Sequence, residues 1–356
     1  MVMGFLIAWL ALGSWTFGGG ARSSLASGDP RQGEARWTFA VISDLHVPRD
    51  GRIPPRLSAV IRAVIASRPR FVVVTGDFTD GNPSDAPRTS GEAPLWWRSA
   101  RAAVEPLRAA GIAVLPVAGN HDSYLPVYRT DYAHAWRDLD RWAEPLPILG
   151  KRQPARGIAL DGAPFTYATE VDGVHLTLAH VVDDWVEPAV ASRIAEDLAH
   201  ARGARLRFVF GHVPLASVVE EPRRDFVESF GRVLASGHAD FYVAGHEHLV
   251  WDEDVFLPGG SSVRQVVVAT ASAPWRFGPS AAARARAGCA QRDLLMRCRM
   301  PNEGVPFELR LERGHWLETQ PHAFTLFTIE GTSVLVRAYA VDEHGAVTPF
   351  GVAHVE

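Results

Sequence analysis

The chain has 356 residues, enough for one large domain or two ordinary ones, and 47% hydrophobic against 21% charged residues excludes wholesale disorder. Acids number 40 and Lys plus Arg 36, a net charge of -4, so the global basic excess that marks electrostatic nucleic-acid binding is missing. Two cysteines exclude a four-thiolate zinc site, and 14 histidines plus the carboxylates remain as the metal-ligand reserve.

Residues 1–21 carry no charged side chain, and the apolar run ends near Phe17. A membrane-spanning helix wants about 20 such residues, so the run fits the apolar region of a secretory signal better. Ser24 and Ala26 offer small side chains where a signal peptidase reads them. The expectation is a signal peptide over residues 1–26, with an uncleaved membrane anchor as the alternative. Residues 27–356 are expected to form a single domain, exported to the periplasm or the extracellular space.

Strands are predicted where short runs are rich in β-branched and aromatic residues, and helices where apolar residues recur at the helical period. A strand at 38–43 is followed by a helix at 55–67, whose Leu57, Val60, Ile61, Val64 and Ile65 share a face. A strand at 71–75, a Gly-, Pro- and Ser-rich loop at 80–94, a helix at 96–110 and a strand at 112–117 come next. Residues 123–164 are expected to form a long irregular insertion. Strands at 166–171 and 174–178 precede a helix at 189–201, a strand at 206–210, a helix at 226–235 and strands at 241–244 and 265–270. A second long insertion is expected around 258–321, with Cys289 and Cys298 as a disulfide pair if the chain is exported. Strands at 324–329 and 333–339 close the chain. The alternation of strand and helix argues an α/β core.

The polar residues fall at the strand ends. Asp44-Leu45-His46 follows the first strand, and Gly76-Asp77-Phe78-Thr79-Asp80 the second. Gly119-Asn120-His121-Asp122, Gly211-His212 and Gly245-His246-Glu247-His248 follow three more. Ligands of open α/β sheets bind beyond the carboxyl ends of the strands, and glycine allows sharp turns and close backbone approach there. A mixed Asp, Asn and His set suits divalent Mn, Fe or Zn. Seven ligands are too many for one catalytic ion with open positions, so two ions sharing a carboxylate fit better. Taken singly, Asp44 could cap a turn, His212 could be a core histidine and Gly119-Asn120 an ordinary turn pair. Together they would bury several unpaired polar groups, which is costly.

These five blocks, in this order, resemble the calcineurin-like metallophosphoesterase family. The resemblance implies a four-layer αββα fold, a two-sheet β-sandwich flanked by helices. It implies one metal at Asp44, His46, Asp77 and His248, and a second at Asp77, Asn120, His212 and His246. It further implies hydrolysis of a phosphate ester by a hydroxide that the dinuclear metal centre activates. His121 would protonate the leaving group, Asp122 would orient the His121 ring, and Asp80 would act behind the ligands. The purple acid phosphatase branch replaces Asp80 by a Tyr ligand and lacks the histidine at position 46; this chain has both His46 and Asp80. The alternatives are a non-catalytic metal-binding scaffold for protein interaction and, within the enzyme reading, a cyclic-nucleotide or other phosphodiesterase rather than a phosphomonoesterase. The partners implied are a phosphate-ester substrate and, through the leader, a membrane tether. Glu247 is read as solvated, His175 and His180 as packing residues, and Trp96, Trp97, Trp136 and Trp142 as core.

Overall fold

A computed structural model describes residues 36–82, 84, 92–149, 158–216, 224–248, 250–272, 296–298 and 322–353. The leader, Cys289 and most of the second insertion lie outside the described residues. Ala35–Glu356 clusters as one compact unit. Among the described residues, no helix is long and apolar enough to cross a membrane.

Two sheets carry the fold. The first has six strands in the order β13-β12-β11-β1-β2-β3. Its members are β1 (Trp37–Ile42), β2 (Phe71–Val74), β3 (Ala113–Pro116), β11 (His322–Glu330), β12 (Ser333–Val341) and β13 (Val347–Ala353). The second has seven, in the order β10-β8-β9-β7-β6-β5-β4. These are β4 (Tyr167–Val171), β5 (Val174–Leu178), β6 (Leu206–Phe210), β7 (Phe241–Ala244), β8 (Trp251–Phe256), β9 (Ser262–Val267) and β10 (Met296–Cys298). Helices α1 (Pro55–Ser67) and α2 (Glu92–Ala109) pack on the first sheet, and α5 (Pro188–His200) and α6 (Arg224–Ser236) on the second. This is the expected sandwich flanked by helices.

The strands read as near-continuous apolar runs because both faces are buried, and the period of two sorts each residue to one face. Phe39 and Val41 of β1, Phe71 and Val73 of β2, Phe208 and Phe210 of β6, and Phe241 and Val243 of β7 belong to the core between the sheets. The residues between them, including Ala40, Ile42, Val72, Val74, Val209 and Tyr242, join the cluster that the helices cover. Phe39 stacks on Phe71 at 4.9 Å and on Phe327 at 4.8 Å, and meets the edge of Phe208 across the sandwich at 5.5 Å. Aromatic pairs in these geometries add about 0.5–1.5 kcal/mol each beyond their burial.

β1, β2 and β3 run parallel, as do β5, β6, β7 and β9, so their carboxyl ends share one side. The two sheets join there. Ser43 bridges to Thr270, Ala271 N–H donates to the Ser43 carbonyl at 2.8 Å, and Thr270 Oγ1 donates to the Asp44 carbonyl at 2.9 Å.

Among the described residues five elements depart from the sequence reading, two of them the strands β10 and β13, which no predicted strand covers. Residues 123–164 contain two helices, α3 (Pro126–Ala135) and α4 (Leu139–Ala143). In α3, only Tyr128, Tyr132 and Ala135 are buried while Val127 is 40% exposed, so the apolar stripe is thin. Pro126 at its first turn is a start signal that would have found it. β8 carries three acids in six residues, yet it pairs antiparallel with β9. Its Asp252 is buried because Arg264 of β9 bonds both carboxylate oxygens, and Arg264 lies 5.6 Å from the centre of the Phe241 ring. Cross-strand pairing overrides local propensity there. The four tryptophans read as core are buried, Trp136 completely.

Candidate metal centre

The loops that leave β1 and β2 are zipped together by main chain. Asp44 N–H donates to Gly76, His46 N–H to Asp77 and Val47 N–H to Phe78, at 2.9–3.0 Å. Within these loops and the one after β7, five non-glycine residues take the left-handed backbone: Asp44 (φ 55), His46 (φ 40), Asp77 (φ 52), His246 (φ 69) and His248 (φ 55). Such conformations cost of order 1–3 kcal/mol each and persist where the surroundings over-determine them. All five are residues expected to hold metal. Two glycines make the crowding possible. A Cβ on Gly119 would collide with the Asp77 carboxylate, and one on Gly245 would collide with the Ser43 hydroxyl.

Main-chain donors also aim the carboxylates. His246 N–H donates to Asp44 Oδ2 at 3.1 Å, and His121 N–H to Asp77 Oδ1 at 2.9 Å. The other oxygen of each faces the histidines. Asp44 Oδ1 lies 3.1 Å from His248 Nε2, which lies 3.2 Å from His46 Nε2. Asp77 Oδ2 lies 3.2 Å from His212 Nε2 and 3.5 Å from His46 Nε2. The His212 and His246 rings are 5.1 Å apart, and His246 Nδ1 lies 3.2 Å from Asn120 Oδ1. Among the described residues three clusters form, each with its donor atoms within 4.8 Å of one another: the triads Asp44–His46–His248 and Asp77–His212–His246, and His46–Asp77–His121, which overlaps both. All seven residues expected as ligands come together, and Asp77 stands between the two triads.

The donor chemistry fits cations. Thr75 O can only accept, so His212 Nδ1, 2.7 Å away, must carry a proton. His212 Nε2 then faces Asp77 Oδ2 with either a second proton or a lone pair. Two lone pairs at 3.2 Å repel, so a proton or a metal ion belongs between them. Among the described residues, His212 Nε2 and Asp44 Oδ1 are buried without a hydrogen bond of acceptable geometry.

The charges tell the same story. Burial pushes Asp44 up, but His248, His46 and His212 outweigh it and hold the carboxyl well below the usual range. Burial pushes Asp77 up as well, and His212, His46 and His121 bring it down. Against burial, Asp44, Asp80 and Asp77 raise His46 to about 10, and Asp77 and Asp44 raise His212 to about 9. Burial and the neighbouring His212 charge push His246 down to about 3. The buried carboxylates thus favour positive charge on the groups that face them.

Around the ligands the structure corrects two expectations. Asp122 does not hold the His121 ring. Its Oδ2 accepts from the Phe78 and Gly119 amides, and its Oδ1 from the Thr79 amide and hydroxyl, at 3.0–3.1 Å. Burial and the Asp77 charge raise Asp122 to about 7 against the pull of those amides. Asp122 is therefore the clasp between the loops after β2 and β3. Asp122→Ala would strand three buried amides and is expected to cost about 2–4 kcal/mol of folding stability. An unchanged denaturation midpoint would remove this role. Glu247 is also not solvated; it is 5% exposed.

Asp80 lies 3.6 Å from His46 Nδ1, behind the ligand, as expected. His121 Nε2 lies 3.9 Å from Asp77 Oδ2, with the side chain 23% exposed. Burial lowers the His121 pKa, and Asp77 opposes that shift. His180 is buried, pushed down to about 3 by burial and by Arg129, and sits 3.3 Å from Ser123 Oγ. Ser123 in turn donates to the Gly119 carbonyl at 2.7 Å. His175 bonds Asp197 of α5 at 2.9 Å, a packing role. Sequence reasoning missed Tyr124. Its N–H bonds the Asn120 carbonyl at 2.8 Å, closing a helix-like turn, and the four-residue spacing from Asn120 is the signal for a shared face.

The profile of the calcineurin-like phosphoesterases matches residues 38–250. Among solved structures, the fold is similar to that of the purple acid phosphatase PPD1 from yellow lupin seeds. The two are 16% identical with a TM-score of 0.55, over 91% of this chain and 54% of that one. This chain therefore spans about half the length of that enzyme. The fold is also similar to that of PhoD, at 8% identity and a TM-score of 0.54, over 92% of this chain and 73% of that one. A comparison with curated proteins returned no match.

Proposed function

Because the chain belongs to the calcineurin-like phosphoesterase family, we propose that it hydrolyses phosphate esters at a centre of two divalent transition metals. The observation that carries this reading is Asp77, whose Oδ2 lies within 3.5 Å of a histidine from each triad. Asp44, His46, Asp77 and His248 would hold one ion, and Asp77, Asn120, His212 and His246 the other. When bound, such ions stabilise charge on phosphoryl oxygens and make water acidic enough to attack at neutral pH.

The chain's own residues do the rest. Main-chain amides fix Asp44 and Asp77 in one rotamer, and Thr75 fixes the His212 tautomer. His121 sits beside the shared carboxylate with its ring part open to solvent. It is held toward the neutral form in the free protein. The negative charge of an arriving phosphate ester favours the imidazolium, which can then give its Nε2 proton to the departing oxygen. His121, whose partly open ring stands beside the shared carboxylate, is also what favours turnover over a non-catalytic scaffold.

Protein refolded with Mn, Fe or Zn is expected to carry about two ions per chain. Chelation is expected to stop hydrolysis and lower the melting midpoint, since ions that bind the native state stabilise it, and added Mn should reverse both. A metal content well below one ion after reconstitution would count against the site.

A further inference from the structure

On the two-metal reading above, we propose that Tyr124 is a positioning residue for the metal ligand Asn120, its phenolic oxygen holding the amide so that Asn120 Oδ1 faces the ion. Asn120 Nδ2 donates to Tyr124 Oη. With the N–H end committed there, Oδ1 points toward His246 Nδ1, 3.2 Å away. An asparagine can ligate through oxygen alone. Rotation of its side chain by a half-turn would present N–H donors to a cation, which repels them. A partner on the nitrogen side favours the productive rotamer before an ion arrives.

Tyr124 does not earn its place by filling the core. It is 37% exposed, one of the large aromatic side chains left partly in solvent. Its main chain ties it to Asn120, and its ring lies 5.2 Å from that of His121 at 65°. One partly exposed tyrosine thus touches a proposed ligand of the second ion and the proposed proton donor.

Outer partners of metal ligands typically contribute about 10- to 100-fold in metal affinity. Manganese titration of metal-free protein by calorimetry is expected to show two binding steps. Tyr124→Phe keeps the ring and removes the oxygen. It should weaken one step by about 10- to 100-fold, leave the other in place, and raise the metal concentration needed for half-maximal rate far more than it lowers kcat at saturating Mn.

Asn120→Asp separates positioning from packing. A carboxylate offers oxygen in either rotamer, so the Tyr124 hydroxyl, which can still donate to one oxygen, no longer decides whether an oxygen faces the ion. In that background Tyr124→Phe should change affinity by no more than about 2-fold, so the two substitutions are coupled. Two wild-type steps that Tyr124→Phe does not move, with or without a lower melting midpoint, would overturn the assignment. So would an undiminished effect of Tyr124→Phe in the Asn120→Asp background. A wild-type protein with a single step would sink the two-metal reading first, and this assignment with it.

Discussion

Asp77→Asn is expected to leave a folded protein without measurable turnover and with at most one bound ion. The substitution preserves shape, so its effect is electronic. Asp77 Oδ1 accepts the His121 amide, which an asparagine oxygen can also do. The other position then becomes an N–H₂ group facing His46 Nε2 at 3.5 Å and His212 Nε2 at 3.2 Å. Donors now stand where two cations need a shared anion, and a full negative charge is gone from a site that is 1% exposed. Loss of turnover by at least about 10³-fold is expected, because both ions depend on this carboxylate. Metal analysis and kcat on the same preparation check it. A variant that holds two ions and turns over at the parent rate would remove Asp77 from the centre.

His121→Ala should do the opposite to metal. The ring lies 3.9 Å from Asp77 Oδ2 and forms a third cluster with His46 and Asp77, but the proposed ligand sets do not use it, so two ions are expected to remain. Turnover of esters with poor leaving groups should fall by about 10²- to 10⁴-fold, the usual contribution of a positioned general acid. The fall should be much smaller for a 4-nitrophenyl ester, whose leaving oxygen needs little help from a proton. The limb of the pH–rate profile that reports the acid should flatten as well. Equal losses on both ester classes, or loss of metal, would contradict the proton-donor role.

The central strands and the polar cluster at their ends were legible in the sequence, while the division of that cluster between two metals came from the family resemblance. A doubly covered sheet demands apolar runs such as 71–74 and 241–244, and a strand-end site demands small turns with polar residues directly after them. Asp122 was legible as a site residue but not in its role. A carboxylate beside a histidine reads the same whether it bonds that ring or the amides of Phe78, Thr79 and Gly119 on neighbouring turns. Glu247 reads as solvated between two ligands because its burial is set by surrounding elements rather than by its own neighbours in sequence. β8 was hidden because its Asp252 is buried against Arg264 of β9, a partner on another strand. Helix α3 was hidden because three buried positions in ten leave a weak periodic signal. Tyr124 was missed because its partner is a side-chain amide one turn earlier, a contact that depends on the turn closing.

The most direct test of the central claim is the rate of hydrolysis of a phosphate-ester panel, with lipid, nucleotide and peptide esters, as metal-free protein receives increasing equivalents of Mn. The expected result is no rate without metal, and hydrolysis of at least one ester that rises to a plateau near about two equivalents per chain. Uptake of two ions with no hydrolysis anywhere on the panel would contradict the account and favour the scaffold, and a plateau at one equivalent would contradict the shared role of Asp77.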